Sequence, residues 1–338
     1  MSEHAAWEWI RDWAEAQGDL GRAWAPRASS ELAGLIARMP GLSATQPFRP
    51  DFRVLEAVAQ GRLHAEPLSG PFDTVLFVPS RQRAESLGLL ALGLERLAPA
   101  GRLVFVCAND LGAAGFLSRL RELVPGLEAE SQRRCRLAVV EAAAIENRAP
   151  LQIWREAAAA GNVEGSAFRS VPGIYGWNKV DRGSELLVST LPPLEGRGAD
   201  LGAGYGYLSY EALRGSGARI TELHAIEADA RALACARENL RAHQQLHFYW
   251  LDVTTEKLPA EGACDWVLMN PPFHEGKQAD PALGNAFIAA AARCLRPGGQ
   301  LYMVANGFLP YEDALDRNFA THARVLATEG FKVIHARR

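Results

Sequence analysis

Asp265-Trp266-Val267-Leu268-Met269-Asn270-Pro271-Pro272 is an acidic residue followed by an apolar run that stops at proline, the pattern of a strand buried on both faces. The pattern has an earlier counterpart at Asp73-Thr74-Val75-Leu76-Phe77-Val78-Pro79-Ser80, an offset of 192 residues (73 to 265). Downstream, Leu97-Ala98-Pro99-Ala100-Gly101-Arg102-Leu103-Val104-Phe105-Val106 parallels Leu295-Arg296-Pro297-Gly298-Gly299-Gln300-Leu301-Tyr302-Met303-Val304, at an offset of 198 (101 to 299). The six additional residues of the second half enter between the two strands, in the segment containing Phe273-His274-Glu275-Gly276-Lys277.

Each unit reads strand, helix, turn, strand, because a parallel pair of strands needs a crossover that a helix usually supplies. The expected fold is α/β, with two tandem doubly wound, Rossmann-like domains, the first degenerate. Their limits are residues 1–165 and 166–338, since Gly161-Asn162-Val163-Glu164-Gly165-Ser166 breaks an alanine-rich helix running from Leu151 to Ala160. In the first half, residues 84–98 read as a helix and Val104-Phe105-Val106 as a central strand. The N-terminal stretch carrying Trp7, Ile10, Trp13 and Trp24 reads as helix packed on the first sheet. Residues 50–70, taken as the place where this half would carry a glycine turn, contain no clustered glycines after a strand.

In the second half, Ala199-Asp200-Leu201-Gly202-Ala203-Gly204-Tyr205-Gly206-Tyr207-Leu208 has glycines at alternate positions directly before a helix. Only glycine tolerates the backbone angles and close approach of such a turn. The dinucleotide fingerprint would put a glycine where Tyr207 stands, and a phosphate-binding P-loop needs a lysine followed by a hydroxyl residue that this turn lacks. Glu227 follows 21 residues after Gly206, at the tip of the strand Leu223-His224-Ala225-Ile226, where a carboxylate can accept from both hydroxyls of a ribose. Asp252 ends Phe248-Tyr249-Trp250-Leu251 in the same manner and can accept from an adenine amine. These tips would line the crevice outside the strand ends. With them the chain resembles the class I S-adenosylmethionine methyltransferases. The resemblance implies S-adenosylmethionine as cofactor, with Gly202, Gly204 and Gly206 passing its methionine part, Asp200 bonding its amine, Glu227 its ribose and Asp252 its adenine. Glu195-Gly196-Arg197-Gly198, short and glycine-rich, departs from that pattern.

The strand Val267-Leu268-Met269 delivers Asn270 to its tip, and Pro271 and Pro272 then stiffen the backbone and remove two N–H donors. The Asn270 side-chain carbonyl and the Pro271 backbone carbonyl can each accept a hydrogen from one planar amine, leaving the nitrogen lone pair exposed. Such chemistry needs positioning more than a strong base. Phe273 offers a face for a flipped-out base. Asn270, Pro271, Pro272 and Phe273 are the candidate catalytic residues, and Asn270 also borders the cofactor.

An Asn-Pro-Pro-aromatic tetrapeptide serves methyltransferases of DNA, RNA and protein glutamine alike, so the flanks discriminate. Phe273-His274-Glu275-Gly276, Val304-Ala305-Asn306-Gly307-Phe308-Leu309-Pro310-Tyr311 and Gly330-Phe331-Lys332-Val333 resemble the small-subunit ribosomal RNA guanine exocyclic-amine methyltransferases. So do Pro172-Gly173-Ile174-Tyr175 and Lys179-Val180-Asp181-Arg182-Gly183-Ser184-Glu185-Leu186-Leu187. That resemblance spans residues 168–338 and implies transfer to the 2-amino group of a guanine in 16S ribosomal RNA, within the small subunit or its precursor, by a monomeric protein. It also implies a first domain that is a dead copy aiding substrate binding; Val78-Pro79-Ser80 lacks the amide of Asn270. A large-subunit guanine methyltransferase and a protein glutamine methyltransferase are the alternatives within the same chemistry. An RNA-binding assembly protein with a vestigial cofactor site is the alternative outside it.

Composition bounds these readings. The 338 residues carry a net charge of −3, which gives no global basic field for nucleic acid, so any RNA surface is local. His274, Lys277 and Arg182 are candidates for phosphate contact, and Arg119, Arg121, Arg133, Arg134 and Arg136 form the densest basic cluster of the first half, amid Glu122, Glu128 and Glu130. The five cysteines are scattered without a Cys-x-x-Cys pair, which points to buried thiols and to no disulfide framework or metal site. With no membrane-length apolar run and no signal-like N-terminus, a cytoplasmic protein is expected.

Overall fold

The apolar runs read as buried strands lie at the centre of two seven-stranded sheets. The first contains β1 (Ala23–Pro26), β2 (Leu42–Thr45), β3 (Leu63–His64), β4 (Phe72–Phe77), β5 (Leu97–Ala108), β6 (Glu130–Gln132) and β7 (Cys135–Glu141), in the order β3-β2-β1-β4-β5-β7-β6. The second contains β8 (Gly196–Leu201), β9 (Ile220–Glu227), β10 (Leu246–Trp250), β11 (Cys264–Met269), β12 (Leu295–Asn306), β13 (Thr321–Thr328) and β14 (Phe331–Arg337), in the order β10-β9-β8-β11-β12-β14-β13. The two orders are the same when the second set is counted from its own first strand. In each sheet the first five strands are parallel and a C-terminal antiparallel hairpin closes one edge. The computed structural model describes residues 2–272, 274–275, 278–279 and 281–338, the pieces between 273 and 280 by backbone alone. It divides into the units Met1–Ala160 and Gly161–Arg338.

The duplication extends to single hydrogen bonds. Arg22 N–H donates to Asp73 at 2.8 Å and Arg197 N–H to Asp265 at 2.8 Å. A Cβ on the preceding residue, Gly21 or Gly196, would come 2.5 or 2.1 Å from the same carboxylate, which explains one of the glycines in the short entry to β8. The other, Gly198, leaves room for the Trp266 ring, which a Cβ would meet at 2.2 Å. Both closing hairpins turn through two residues of positive φ, Arg133 and Arg134 (51° and 58°) and Glu329 and Gly330 (52° and 78°). That geometry matches the right-handed twist of the paired strands.

This equivalence corrects the expected place of the lost glycine turn. β1 pairs with β4 as β8 pairs with β11, so the counterpart of Gly202-Ala203-Gly204 is Arg27-Ala28-Ser29, directly after β1, and not a part of residues 50–70. Ala28 N–H donates to Thr45 O at 3.0 Å just as Ala203 N–H donates to Ile226 O at 3.0 Å. Residues Arg49–Ala59 are helix, because the chain has by then already passed two strands. Trp24 is likewise a β1 residue, fully buried, whereas Trp7 and Ile10 lie on the N-terminal helix Ser2–Gln17 and are buried there.

Helix Arg83–Glu95 follows β4 as helix Pro281–Cys294 follows β11, already at the larger offset (83 to 281), so the six additional residues enter between strand end and helix start. Alternate residues of β11 enter opposite cores: Val267 and Met269 pack with Phe287 and Ile288, while Trp266 and Leu268 pack with Leu187, Leu213 and Val333. A strand covered on both faces must be apolar throughout. All five cysteines are buried, and among the described residues no helix is long and apolar enough to cross a membrane.

Candidate active site

Parallel strands of this topology leave a crevice where the strand order reverses, here between the carboxyl ends of β8 and β11. After β8 the chain turns through Gly202 (φ 77°), Gly204 (φ 57°) and Gly206 (φ 95°) into helix Tyr207–Ser216, whose N-terminus faces the turn. The glycines differ in what demands them. A Cβ on Gly206 would lie 2.6 Å from Leu240 and one on Gly202 3.3 Å from Phe287, both packing constraints. A Cβ on Gly204 would meet nothing within 4 Å among the described residues and would occupy open space at the wall of a cleft. Gly202, Gly204, Tyr205, Leu208, Asn270 and Tyr175 all border that cleft.

Glu227 reaches back from the tip of β9 and ties this turn in place. One carboxylate oxygen accepts from Gly204 N–H and the other from Asp229 N–H, each at 2.8 Å. Desolvation outweighs these bonds and pushes its pKa up to about 7. Ala228 N–H is a third backbone donor beside it, and a carboxylate's four acceptor positions leave room for a hydroxyl donor. Asp252 spends its carboxylate on its own turn, accepting from Thr254 N–H (2.9 Å), Thr254 Oγ1 (2.6 Å) and Thr255 Oγ1 (2.6 Å). It is therefore an acceptor anchored in its own turn.

Asp200 lies beneath the turn. Its side chain is fully buried; Oδ2 accepts from Ser209 Oγ at 2.7 Å, and Oδ1 has no hydrogen-bond partner among the described residues. Burial raises its pKa to about 6. A carboxylate in this position underpins the loop through Ser209 and keeps one oxygen for a further donor.

Asn270 stands at the carboxyl tip of β11, followed by a buried Pro271 and an exposed Pro272. Its Nδ2 donates to Asp181 Oδ2 at 2.8 Å and to Ser184 Oγ at 2.9 Å. Asp181 is the N-cap of helix Arg182–Thr190 and also accepts from Ser184 N–H (2.8 Å) and from Tyr175 Oη (2.6 Å). Phe273 and Lys277 lie outside the described residues, as does the side chain of His274. Tyr175, Asp181 and Ser184 carry no assigned role in the sequence pattern. A capping aspartate three residues before a serine was the available signal.

The candidate phosphate contacts separate. Arg182 is committed to Glu329, with bonds of 2.7 and 2.8 Å, and to Glu185 at 3.0 Å. Arg133 pairs with Asp12 at 2.8 Å and Arg121 donates to Leu127 O at 3.1 Å, whereas Arg134 and Arg136 are exposed on the β6–β7 hairpin.

Glycine cradle and Asn270 thus meet at one cleft, with the Glu227 carboxylate bonded to the cradle from behind, and the chain is similar to known proteins. The Methyltransferase small domain family matches residues 165–335. Ribosomal RNA small subunit methyltransferase C of Sodalis glossinidius is 33% identical over 83% of this chain and 78% of its own length. Its namesake from Escherichia coli is 32% identical over 78% and 75%. Among solved structures, the T. thermophilus 16S rRNA methyltransferase acting on N2 of guanine 1207, in complex with S-adenosylmethionine and guanosine, aligns with a TM-score of 0.75 at 26% identity, covering 94% of this chain and 88% of the other.

Proposed function

Because this chain belongs to the Methyltransferase small domain family, alongside the ribosomal RNA small subunit methyltransferase C proteins, we propose that it methylates the exocyclic 2-amino group of a guanine in 16S ribosomal RNA using S-adenosylmethionine. The counterpart of the guanine named for the T. thermophilus relative is the target this reading selects. The observation that carries it is Asn270, set at a strand tip on the same cleft as the Gly204 turn.

The cofactor fits what the chain presents. Gly204 leaves unfilled space at the cleft wall, and Glu227, bonded to Gly204 N–H, is the acceptor this reading assigns to a ribose diol. Bound there, S-adenosylmethionine supplies a methyl carbon activated by its sulfonium. The protein's own task is to hold the amine. Asn270 Oδ1 and the Pro271 carbonyl accept the two amine hydrogens, which turns the nitrogen lone pair away from the protein backbone. Neither group is a strong base, and none is required when the proton leaves after transfer. Phe273 serves as the stacking face for the guanine in this reading. The Asn-Pro-Pro tip and the glycine cradle both lie in the unit Gly161–Arg338, so a single chain carries both and can act alone on the small subunit or its precursor.

The direct test is Asn270→Ala. Cofactor affinity by calorimetry should stay within about twofold while tritiated-methyl transfer falls by two or more orders of magnitude. Equal loss of both would make Asn270 structural. The first unit we read as the RNA-binding partner of the second, supported by its complete core and by the exposed Arg134 and Arg136. Charge reversal at both should raise KM for the ribosomal substrate and flatten its salt dependence without moving Tm. A fall in Tm alone would make that unit a scaffold.

A further inference from the structure

An asparagine amide can present either its oxygen or its nitrogen to a substrate, and only the oxygen can accept an amine hydrogen. Both ends are similar in size, so the choice belongs to neighbouring groups. At Asn270 the neighbour is a residue 89 positions away in the chain, Asp181, whose Oδ2 takes the Nδ2 hydrogen at 2.8 Å. Ser184 Oγ takes the other at 2.9 Å. A flipped amide would put Oδ1 against an acceptor-only carboxylate.

Asp181 is itself held from three sides. Tyr175 Oη donates to its Oδ1 at 2.6 Å and Ser184 N–H to its Oδ2 at 2.8 Å. Gly183 completes the seat, since a Cβ there would lie 3.0 Å from Oδ2 and 3.1 Å from the Phe331 ring. Such a fixed acceptor is more than a helix cap needs, because a serine hydroxyl caps equally well.

We infer that Asp181 is a positioning residue for methyl transfer: it fixes Asn270 with Oδ1 toward the cleft, so that the site selects a hydrogen-donating planar amine. Asp181 borders the same cleft as Asn270, and the role inferred for it is on the amide and not on a ligand. It acts through Asn270, and the inference rests on the guanine-amine reading above.

The test separates cap from positioning. Asp181→Ser keeps a capping oxygen but is too short to reach Asn270 and Tyr175 together. Asp181→Asn can still give one carbonyl oxygen to Ser184 N–H and Asn270 while donating to Tyr175. In the full-length protein with 16S RNA or small subunits, Asp181→Ser should lower kcat tenfold or more. KM, the S-adenosylmethionine Kd and Tm should stay near wild type, and Asp181→Asn should restore most of the turnover. Unchanged kcat in Asp181→Ser, or parallel losses of Tm and cofactor affinity in both variants, would overturn the positioning role while wild-type guanine methylation stands. Wild-type protein inert toward 16S RNA would overturn the functional reading and this inference together.

Discussion

Gln46 stands in the first sheet where Glu227 stands in the second. β1 pairs with β2 as β8 pairs with β9, which sets each residue one step past the paired strand end. Each accepts the N–H two residues on: Phe48 N–H to Gln46 Oε1 at 3.0 Å, Asp229 N–H to Glu227 Oε1 at 2.8 Å. The second contact differs in sign. Glu227 accepts from Gly204 N–H, whereas Gln46 Nε2 donates to Ala28 O at 3.0 Å. Beside it, Arg27 takes the place of Gly202 and pairs with Glu85.

A site with its carboxylate exchanged for an amide and its glycine for an arginine should not hold the cofactor. Calorimetric titration is expected to show one S-adenosylmethionine per chain. Glu227→Ala should weaken that binding by about 1–3 kcal/mol, the usual range for a charge-assisted bond lost at a buried site. Two molecules per chain, or an unaltered Kd in the variant, would contradict the assignment.

The glycines of the cradle should separate by experiment. Gly206→Ala places a methyl group 2.6 Å from Leu240, which is itself buried, at φ 95°. Strain and overpacking together should cost about 2 kcal/mol or more in denaturant unfolding. Gly204→Ala meets no protein atom within 4 Å. Its backbone cost should be about 1 kcal/mol, and its larger effect should be a loss of cofactor affinity of about tenfold.

Glu227 should also leave a mark on stability against pH. Its folded-state pKa is raised to about 7 from 4.5, chiefly by desolvation. The folded protein therefore binds this proton more tightly than the unfolded chain. The resulting stabilisation is fully present below the unfolded value and is lost as pH rises through about 7. Glu227→Gln lacks that dependence. Without cofactor, the stability of the variant relative to wild type should rise between about pH 4.5 and 7 and level off above, by on the order of 2–3 kcal/mol. A flat difference would place the carboxylate in a better-solvated setting.

Much of this architecture is legible along the chain because its signals are local. Buried parallel strands must be apolar throughout, so the strands around Val75 and Val267 announce themselves and their duplication. A sharp turn before a helix needs glycine, so the Gly202–Gly206 cradle does too. Asn270 followed by two prolines carries its chemistry in its own backbone. What no local pattern carries is partnership across the chain. Nothing in Arg27-Ala28-Ser29 resembles a glycine turn, so residues 50–70 do not stand out as the wrong place for the cradle's counterpart; only the pairing of β1 with β4 and β2 identifies it. That Asp200 is fully buried, with Ser209 Oγ on one oxygen, is likewise decided by packing and not by its neighbours in sequence. Asp181 reads as a helix cap until the sheet brings Asn270 to its second oxygen, because hydrogen bonds to a side chain depend on where the fold delivers the donor and not on distance along the sequence.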